Sequence, residues 1–424
     1  MIKRLISLSL AIVLSAALMG CSSGGAPSQE SNVPGGNTVD RTVFLNDSGS
    51  VLPIAVYPAS SMSIEGEYDA AYTAVNNAFA IKMLKATEDK GTCVFSPLSL
   101  QIALQVLANG GDEATSAALL ESICPGLTRA DVNVFSARLL EKLLSSQGVN
   151  ISTAVVANDA YRICTEFADT AANYYKSSVG ALDFSNPGKA LEEINDWVKD
   201  NTDGLIDKLL ESLLPNTAMV ILNALTLKLD WTKPFNVLRE ASEFNGASKV
   251  SNVTMIKSVN EFGYGSFDEG QIASIPYAGD EYAMAVILPA KGYSPSEAAS
   301  ALIGRIGECK SAVVSVTMPK IDLENKLDIL SMAEKLGIDK GVGGVFTKLI
   351  DSESATVTTI VHGSMLSVTE YGTTAAAATA IVTTKGVPFF SGEYELVCDR
   401  PYAMVIYNIE TGAVLFCATV NDIG

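Results

Sequence analysis

The order in which two hydrophobic periods appear along this chain limits its fold more than any other feature. Apolar residues recur at helical spacing in the first half, whereas the second half is dominated by short apolar or alternating runs of strand length. Val75, Ala78, Phe79 and Met83 line one face of an amphipathic helix. Ser96-Pro97-Leu98-Ser99 starts another, since a serine ahead of a first-turn proline caps and presets a helix, and Asn109-Gly110-Gly111 stops it. Between those marks Leu100, Ile102, Ala103, Leu104, Val106 and Leu107 leave almost no polar face, which predicts a core helix. Leu191, Ile194 and Val198 share one face of a surface helix. Residues 220–229, 282–288 and 311–318 read as buried strands. Residues 364–370 alternate, Leu366 and Val368 against Ser367 and Thr369, which predicts a strand with one wet face. Helices first, strands afterwards and no fixed-period repeat give an α+β class rather than a doubly wound βαβ array.

The 424 residues, 48% of them hydrophobic, can bury a large core, and a net charge of -18 excludes a nucleic-acid partner, which would need clustered lysine and arginine. Residues 1–20 read as an export signal: Lys3 and Arg4, then an apolar run to Met19 that is too short and too early for a typical spanning helix. Leu18-Met19-Gly20-Cys21 resembles the lipobox of bacterial lipoproteins, which implies cleavage before Cys21, acylation there, and a chain lipid-anchored to the cell membrane and facing outside. Residues 21–65 form the lipidated cysteine and a linker, rich in Ser, Gly, Pro and Asn up to about residue 37, with one candidate strand at 51–57 that Pro53 argues against. The folded domain is expected over 66–424. Cys93, Cys124, Cys164, Cys309, Cys398 and Cys417 are scattered without the close pairs that cage zinc, so no metal and no cofactor is expected, and most should be buried free thiols.

Residues 370–390 are unusual for a surface. No charge falls between Glu370 and Lys385, and the first half after Gly372 is almost wholly Thr and Ala. Small side chains fit a tight slot, and the lack of charge removes the desolvation cost of burial. Gly372 allows the backbone to reverse, and β-branched Thr379, Ile381, Val382, Thr383 and Thr384 favour an extended chain. Such a segment can leave a surface loop and enter a sheet as a new strand. Taken by itself, the same run also fits an Ala-rich helix or an ordinary buried strand.

The pattern Glu370-x-Gly372-Thr373-x-Ala375-Ala376-Ala377-Ala378-Thr379 resembles the hinge of inhibitory serpins. The resemblance runs from about residue 70 to the end of the chain, through Phe95-Ser96-Pro97-Leu98-Ser99, Asn195-x-Trp197-Val198 with Thr202-x-Gly204-x-Ile206, Leu222-Asn223-Ala224, Trp231-x-x-Pro234-Phe235, Ile275-Pro276-Tyr277-x-Gly279, Ile287-Leu288-Pro289, Met318-Pro319-Lys320 and Arg400-Pro401-Tyr402. It implies helices packed around a large central mixed β-sheet with two smaller sheets, and an exposed reactive-centre loop at about 370–392. It also implies a shutter in which His362, the only histidine, has Asn223, Ser96 and Ser99 as partners, and a breach at Trp231. A Ser-His-Asp hydrolase would need its serine on a strained turn within the fold. The only literal Gly-x-Ser-x-Gly match, residues 20–24, lies at the signal cleavage site, so the chain is expected not to be an enzyme.

By the same resemblance the chain is a suicide-substrate inhibitor of serine endopeptidases, most simply a monomer. A protease cuts the bait loop, the loop enters the central sheet, and the acyl-enzyme is trapped. Thr373, Ala375, Ala377 and Thr379 alternate toward one face and are expected to bury on insertion, with Glu370 and Gly372 as the pivot. Counting forward from Glu370 by the family spacing puts the scissile bond at Gly386-Val387 with Lys385 just before it; counting back from Pro401 puts it near Phe389 or Phe390. Lys385 implies a trypsin-like target, Gly386 an elastase-like or subtilisin-like one, and Phe389 or Phe390 a chymotrypsin-like one. The alternatives are a non-inhibitory serpin acting as a surface binding or chaperone-like protein, and an inhibitor of cysteine proteases.

Overall fold

The computed structural model describes residues 70–146, 148–214, 216–352, 356–373 and 392–424. Six helices dominate its first half: α1 (Ala70–Ala86), α2 (Pro97–Gly110), α3 (Glu113–Ile123), α4 (Arg129–Ser145), α5 (Thr165–Tyr175) and α6 (Pro187–Asn201). The strands are β1 (Cys93–Phe95), β2 (Val149–Asn158), β3 (Ser178–Leu182), β4 (Met219–Leu227), β5 (Leu229–Asp230), β6 (Asn236–Val237), β7 (Ser242–Asn245), β8 (Val250–Val253) and β9 (Met255–Phe267). They continue as β10 (Gly270–Pro276), β11 (Tyr282–Pro289), β12 (Lys310–Pro319), β13 (Ile321–Asp328), β14 (Thr359–Val368), β15 (Gly372–Thr373), β16 (Tyr394–Val397), β17 (Tyr402–Asn408) and β18 (Val414–Val420). Helices thus pack around a mixed sheet of seven strands, in the order β3-β2-β4-β14-β15-β5 with β13 beside β14; a nine-stranded sheet and the β7-β8 ribbon complete the architecture.

Helix α2 is the pivot of the core. Ser96 caps it by accepting from the Ser99 main-chain N–H, and Leu98 through Leu107 are buried on every side, as their apolar run predicts. The mixed sheet lies over this core with a simple division by parity. Met219, Ile221 and Leu225 of β4 face the main core, while Val220, Leu222 and Ala224 face a separate, smaller one. That smaller core is roofed by α6 and the irregular connector that follows it, through Ile194, Val198, Ile206, Leu209, Leu210 and Leu213. Both positions of the turn that ends α6 take positive φ, 54° at Asp203 and 76° at Gly204, which swings the connector back over the sheet.

The strand read at 364–370 runs from Thr359 to Val368 and alternates as expected, with Ile360, His362, Ser364, Leu366 and Val368 buried and Thr359, Val361 and Met365 half-buried. On that second face only Ser367, which donates to the Asp322 carboxylate of β13, and Gly363, which lies under the α6 connector, are fully covered. Periodicity alone could not reveal a cover formed by distant residues 206–213. The candidate strand at 51–57 lies outside the described residues.

One side chain fastens the connector to its helix. Asn195 Oδ1 accepts from the main-chain N–H of Leu209 and Leu210 at 2.8 and 3.0 Å, and Asn195 Nδ2 donates to the Leu210 carbonyl at 2.9 Å. Asn195→Ala strands these buried backbone groups and is expected to cost about 2–4 kcal/mol, read as a fall in the denaturant midpoint of the uncut protein. An unchanged midpoint would show that the leucines hold the connector by themselves.

Candidate functional site

The central seam of the mixed sheet is the direct pairing of β4 with β14. These strands run parallel, with Thr359 opposite Val220, His362 opposite Asn223, and Ser364 opposite Leu225 as the last rung. Four residues higher, two-residue β15 lies between β14 and β5, with Thr373 opposite Val368 on one side and Leu229 of β5 on the other. The seam is therefore closed over residues 359–364 and forked above.

A buried polar cluster bolts the closed part to the helical core. His362 is fully buried, and its Nε2 accepts from the Ser96 main-chain N–H at 3.0 Å and from the Ser364 hydroxyl at 2.9 Å. An amide can only donate, so the imidazole proton belongs on Nδ1, which donates to Asn223 Oδ1 at 3.0 Å. Asn223 Oδ1 also accepts from the Ser99 hydroxyl, and its Nδ2 donates to Thr153 Oγ1 of β2 at 3.0 Å. The Ser96 hydroxyl donates to the Leu415 carbonyl of β18 at 2.7 Å. The four residues named from sequence thus meet, with two adjustments. Ser96 reaches the imidazole through its backbone, and Ser99 touches Asn223 rather than His362. Sequence reasoning missed Ser364, which shares the face of His362 two residues on, and Thr153, which no linear signal connects to it.

The fork has its own fittings. The Thr369 main-chain N–H donates to the Gly372 carbonyl at 2.9 Å, closing the turn between β14 and β15. Trp231 stacks on Tyr277 with centroids 4.6 Å apart and donates from Nε1 to the Thr369 carbonyl at 2.9 Å. The main-chain N–H groups of Trp231 and Phe235 donate to the carbonyls of Tyr371 and Glu370 at 2.8 and 2.7 Å. Burial alone would raise the Glu370 carboxyl, but Lys320 Nζ at 2.7 Å holds it below the ordinary range. Lys320 and Tyr277 stood inside quoted motifs without an assigned role.

Two pivot expectations are corrected here. Thr373 does not wait outside: it is 1% exposed and its hydroxyl hydrogen-bonds the Tyr277 phenol. Burial raises that phenol far above its usual pKa, so it serves as a neutral partner. Gly372 is needed for close approach rather than reversal, since a Cβ there would fall 2.1 Å from the Leu229 carbonyl oxygen of β5. Ala375, Ala376, Ala377, Ala378, Thr379, Lys385, Gly386, Val387, Phe389, Phe390 and Cys21 lie outside the described residues. Of the six cysteines described, Cys93, Cys124, Cys398 and Cys417 are buried free thiols, and Cys164 and Cys309 are half-buried.

The family model for Serpin (serine protease inhibitor) matches residues 74–423. The chain belongs to the serpin family. A serpin-like protein of Thermococcus kodakarensis is 28% identical over 407 residues, covering 93% of this chain and 94% of that protein. Iripin-1 of Ixodes ricinus is 29% identical over 372 residues, covering 83% of this chain and 94% of its own. Among solved structures, the thermophilic serpin tengpin in its native state superposes with a TM-score of 0.76 at 25% identity, covering 87% of this chain and all of that one. Thyroxine-binding globulin in complex with thyroxine shares the fold at a TM-score of 0.74 and 22% identity, covering 83% of this chain and 99% of that one. Serpins are in general protease inhibitors rather than catalysts, which fits a polar cluster that is sealed from substrate.

The buried imidazole makes seam closure sensitive to acid. Burial, which penalises the charged imidazolium, pushes His362 from the ordinary 6.5 down to about 3, and a protonated Nε2 would also face the Ser96 N–H donor to donor. Between those two pH values the unfolded chain binds a proton that the folded chain refuses. The stability from His362 is therefore complete above about pH 6.5 and is lost as the pH falls, at up to about 1.4 kcal/mol per pH unit. His362→Gln is expected to flatten the dependence by that one-proton slope, measured as denaturant midpoints between about pH 4 and 7. Equal slopes in the two proteins would contradict the assignment.

Proposed function

We propose that this serpin inhibits serine endopeptidases as a suicide substrate, with the segment between Thr373 and Gly392 as bait. The observation that carries the reading is the fork: the last described residues before the bait, Gly372 and Thr373 of β15, already lie between β14 and β5 and run down the sheet, antiparallel to β14. A cut in the bait frees that strand to continue downward, breaking the rungs Ser364–Leu225, Gly363–Ala224 and His362–Asn223 in turn. Counting along the sequence in this register, Ala377 falls level with Ser364 and Thr379 level with His362, and Ala375, Ala377 and Thr379 share the inward face of Thr373. Small, uncharged side chains suit a slot one strand wide beside a buried imidazole. A dozen new backbone hydrogen bonds at roughly 1 kcal/mol each give on the order of 10 kcal/mol, comparable to the stability of a whole domain. The uncut form is then metastable and held by a kinetic barrier.

The intact hinge weighs against a non-inhibitory role as a binding or chaperone-like surface protein. In the same reading, Lys385, Gly386 and Val387 surround the scissile bond, with Phe389 and Phe390 as the alternative. The exported chain loses residues 1–20, is acylated at Cys21, and carries the 66–424 domain on a 21–65 linker outside the membrane as a monomer.

Two experiments test the proposal. Incubation with trypsin, elastase, chymotrypsin and subtilisin is expected to give, with at least one of them, a covalent complex that survives denaturation, and sequencing the released peptide locates the cut. Complete cleavage without any complex, whatever the enzyme, would refute inhibition. Thr373 is already buried in the uncut protein, so the discriminating substitution lies further along. Ala377→Arg, level with Ser364 in this register, would carry an unpaired cation into the slot on insertion, a penalty of several kcal/mol, and is expected to be cleaved with complex yield reduced at least about tenfold. A full yield would contradict insertion at this seam.

A further inference from the structure

Residues 421–424, which follow β18, are bound on two sides. On one side, the Thr92 hydroxyl just ahead of β1 accepts from the main-chain N–H groups of Asn421 and Asp422 at 3.0 and 2.9 Å and donates to the Asp422 carbonyl at 2.7 Å. Asn421 Nδ2 donates to the Gly91 carbonyl at 2.7 Å. On the other side lies the turn of the β7-β8 ribbon. Asp422 Oδ1 accepts from the main-chain N–H groups of Ser248 and Lys249 at 2.9 and 3.2 Å, and Oδ2 accepts from the Ser248 hydroxyl at 2.9 Å. The Ala247 N–H donates to the Asn421 carbonyl at 2.8 Å, the Ser251 hydroxyl to the Ile423 carbonyl at 2.6 Å, and Lys249 Nζ to the Gly424 carbonyl. A Cβ at Gly246 would fall 2.3 Å from Asp422 Oδ1, so glycine is what admits the carboxylate to the turn.

The ribbon has few other holds. Its two strands pair only with each other, and Phe244 and Val253 are its buried apolar side chains, whereas Glu243, Asn245, Val250 and Asn252 of the opposite face are exposed. The Asn245 N–H donates to the Asp399 carbonyl at 2.7 Å, and the Phe244 ring meets Tyr402 edge to face at 6.3 Å. The Tyr402 hydroxyl is fully buried without a hydrogen-bond partner among the described residues, and the buried Cys398 thiol is its neighbour. A dry, unpaired hydroxyl favours any opening that lets water reach it, so a closed ribbon needs a restraint elsewhere. We propose that Asp422 is a latch: fixed to the body through Thr92, its carboxylate grips the ribbon turn and keeps the ribbon shut over Cys398 and Tyr402. Releasing the carboxylate lets the ribbon open as a local unit, which hydrates the Tyr402 hydroxyl and exposes Cys398, with the central sheet undisturbed.

Thiol labelling with a maleimide, located by peptide mapping of the uncut protein, reads the latch directly. Asp422→Ala is expected to speed labelling of Cys398 about tenfold, because local opening sets the rate, while Cys124 at the end of α3 keeps its wild-type rate. Asp422→Asn retains an acceptor for both N–H groups and is expected to fall between the two proteins. An unchanged Cys398 rate in Asp422→Ala, or equal acceleration of Cys398 and Cys124, overturns the latch. Should Asp422→Ala not accumulate as folded protein, hydrogen exchange of the wild type decides. The main-chain N–H groups of Asn245, Ser248 and Lys249 are expected to exchange together and well before those of β17; protection equal to that of β17 overturns the proposal.

Discussion

A neutral imidazole held between two strands and a helix governs this molecule. His362 accepts from the backbone of α2 and donates to Asn223 across the seam, so one side chain joins β14, β4 and the core helix. Nothing in the pairing of β4 with β14 is otherwise unusual; the strands are parallel and in register. What makes this rung special is that its polar atoms have no route to water. Parting the strands strands the groups of a buried network, which is costly unless a newcomer takes their place.

Seen from that rung, the rest of the sheet is arranged by height. Above it, the Lys320–Glu370 pair, the Trp231–Tyr277 stack and the buried Thr373 hydroxyl hold the chain at the fork. On the outer face at the same level, the connector lies against Gly363. The closed rungs below the fork are thus covered on the core face by a polar, directional network and on the outer face by an apolar contact. Thr373 is seated in the sheet between Val368 and Leu229, buried and hydrogen-bonded to Tyr277.

Much of this was legible in the sequence, for identifiable physical reasons. The core helix showed itself because Ser96-Pro97 and Asn109-Gly110-Gly111 are local start and stop signals around a continuous apolar run. The strands of residues 220–229, 282–288 and 311–318 appeared within a residue or two of their bounds, because buried strands are short apolar blocks, although the last is buried only from Val314 onward and Ser311 and Val313 are exposed. Asn223, Ser96 and Ser99 were placed beside His362 by family resemblance, and the atoms that bind were not: a main-chain N–H at Ser96 carries no side-chain signature. The cover over Gly363 and the early burial of Thr373 were missed for a common reason. Both depend on segments far away in the chain, residues 206–213 and Tyr277 with Leu229, and neither period nor composition encodes where such segments come to rest.

The account stands on the claim that this seam admits one more strand. Spin labels placed at exposed positions on the β2 and β13 sides of it, outside the rungs themselves, report the separation of the two halves directly. Cutting the loop once is expected to lengthen that distance by about one strand spacing, 4.8 Å, while distances within each half stay fixed. An unchanged distance across the seam after a verified cut would contradict the account.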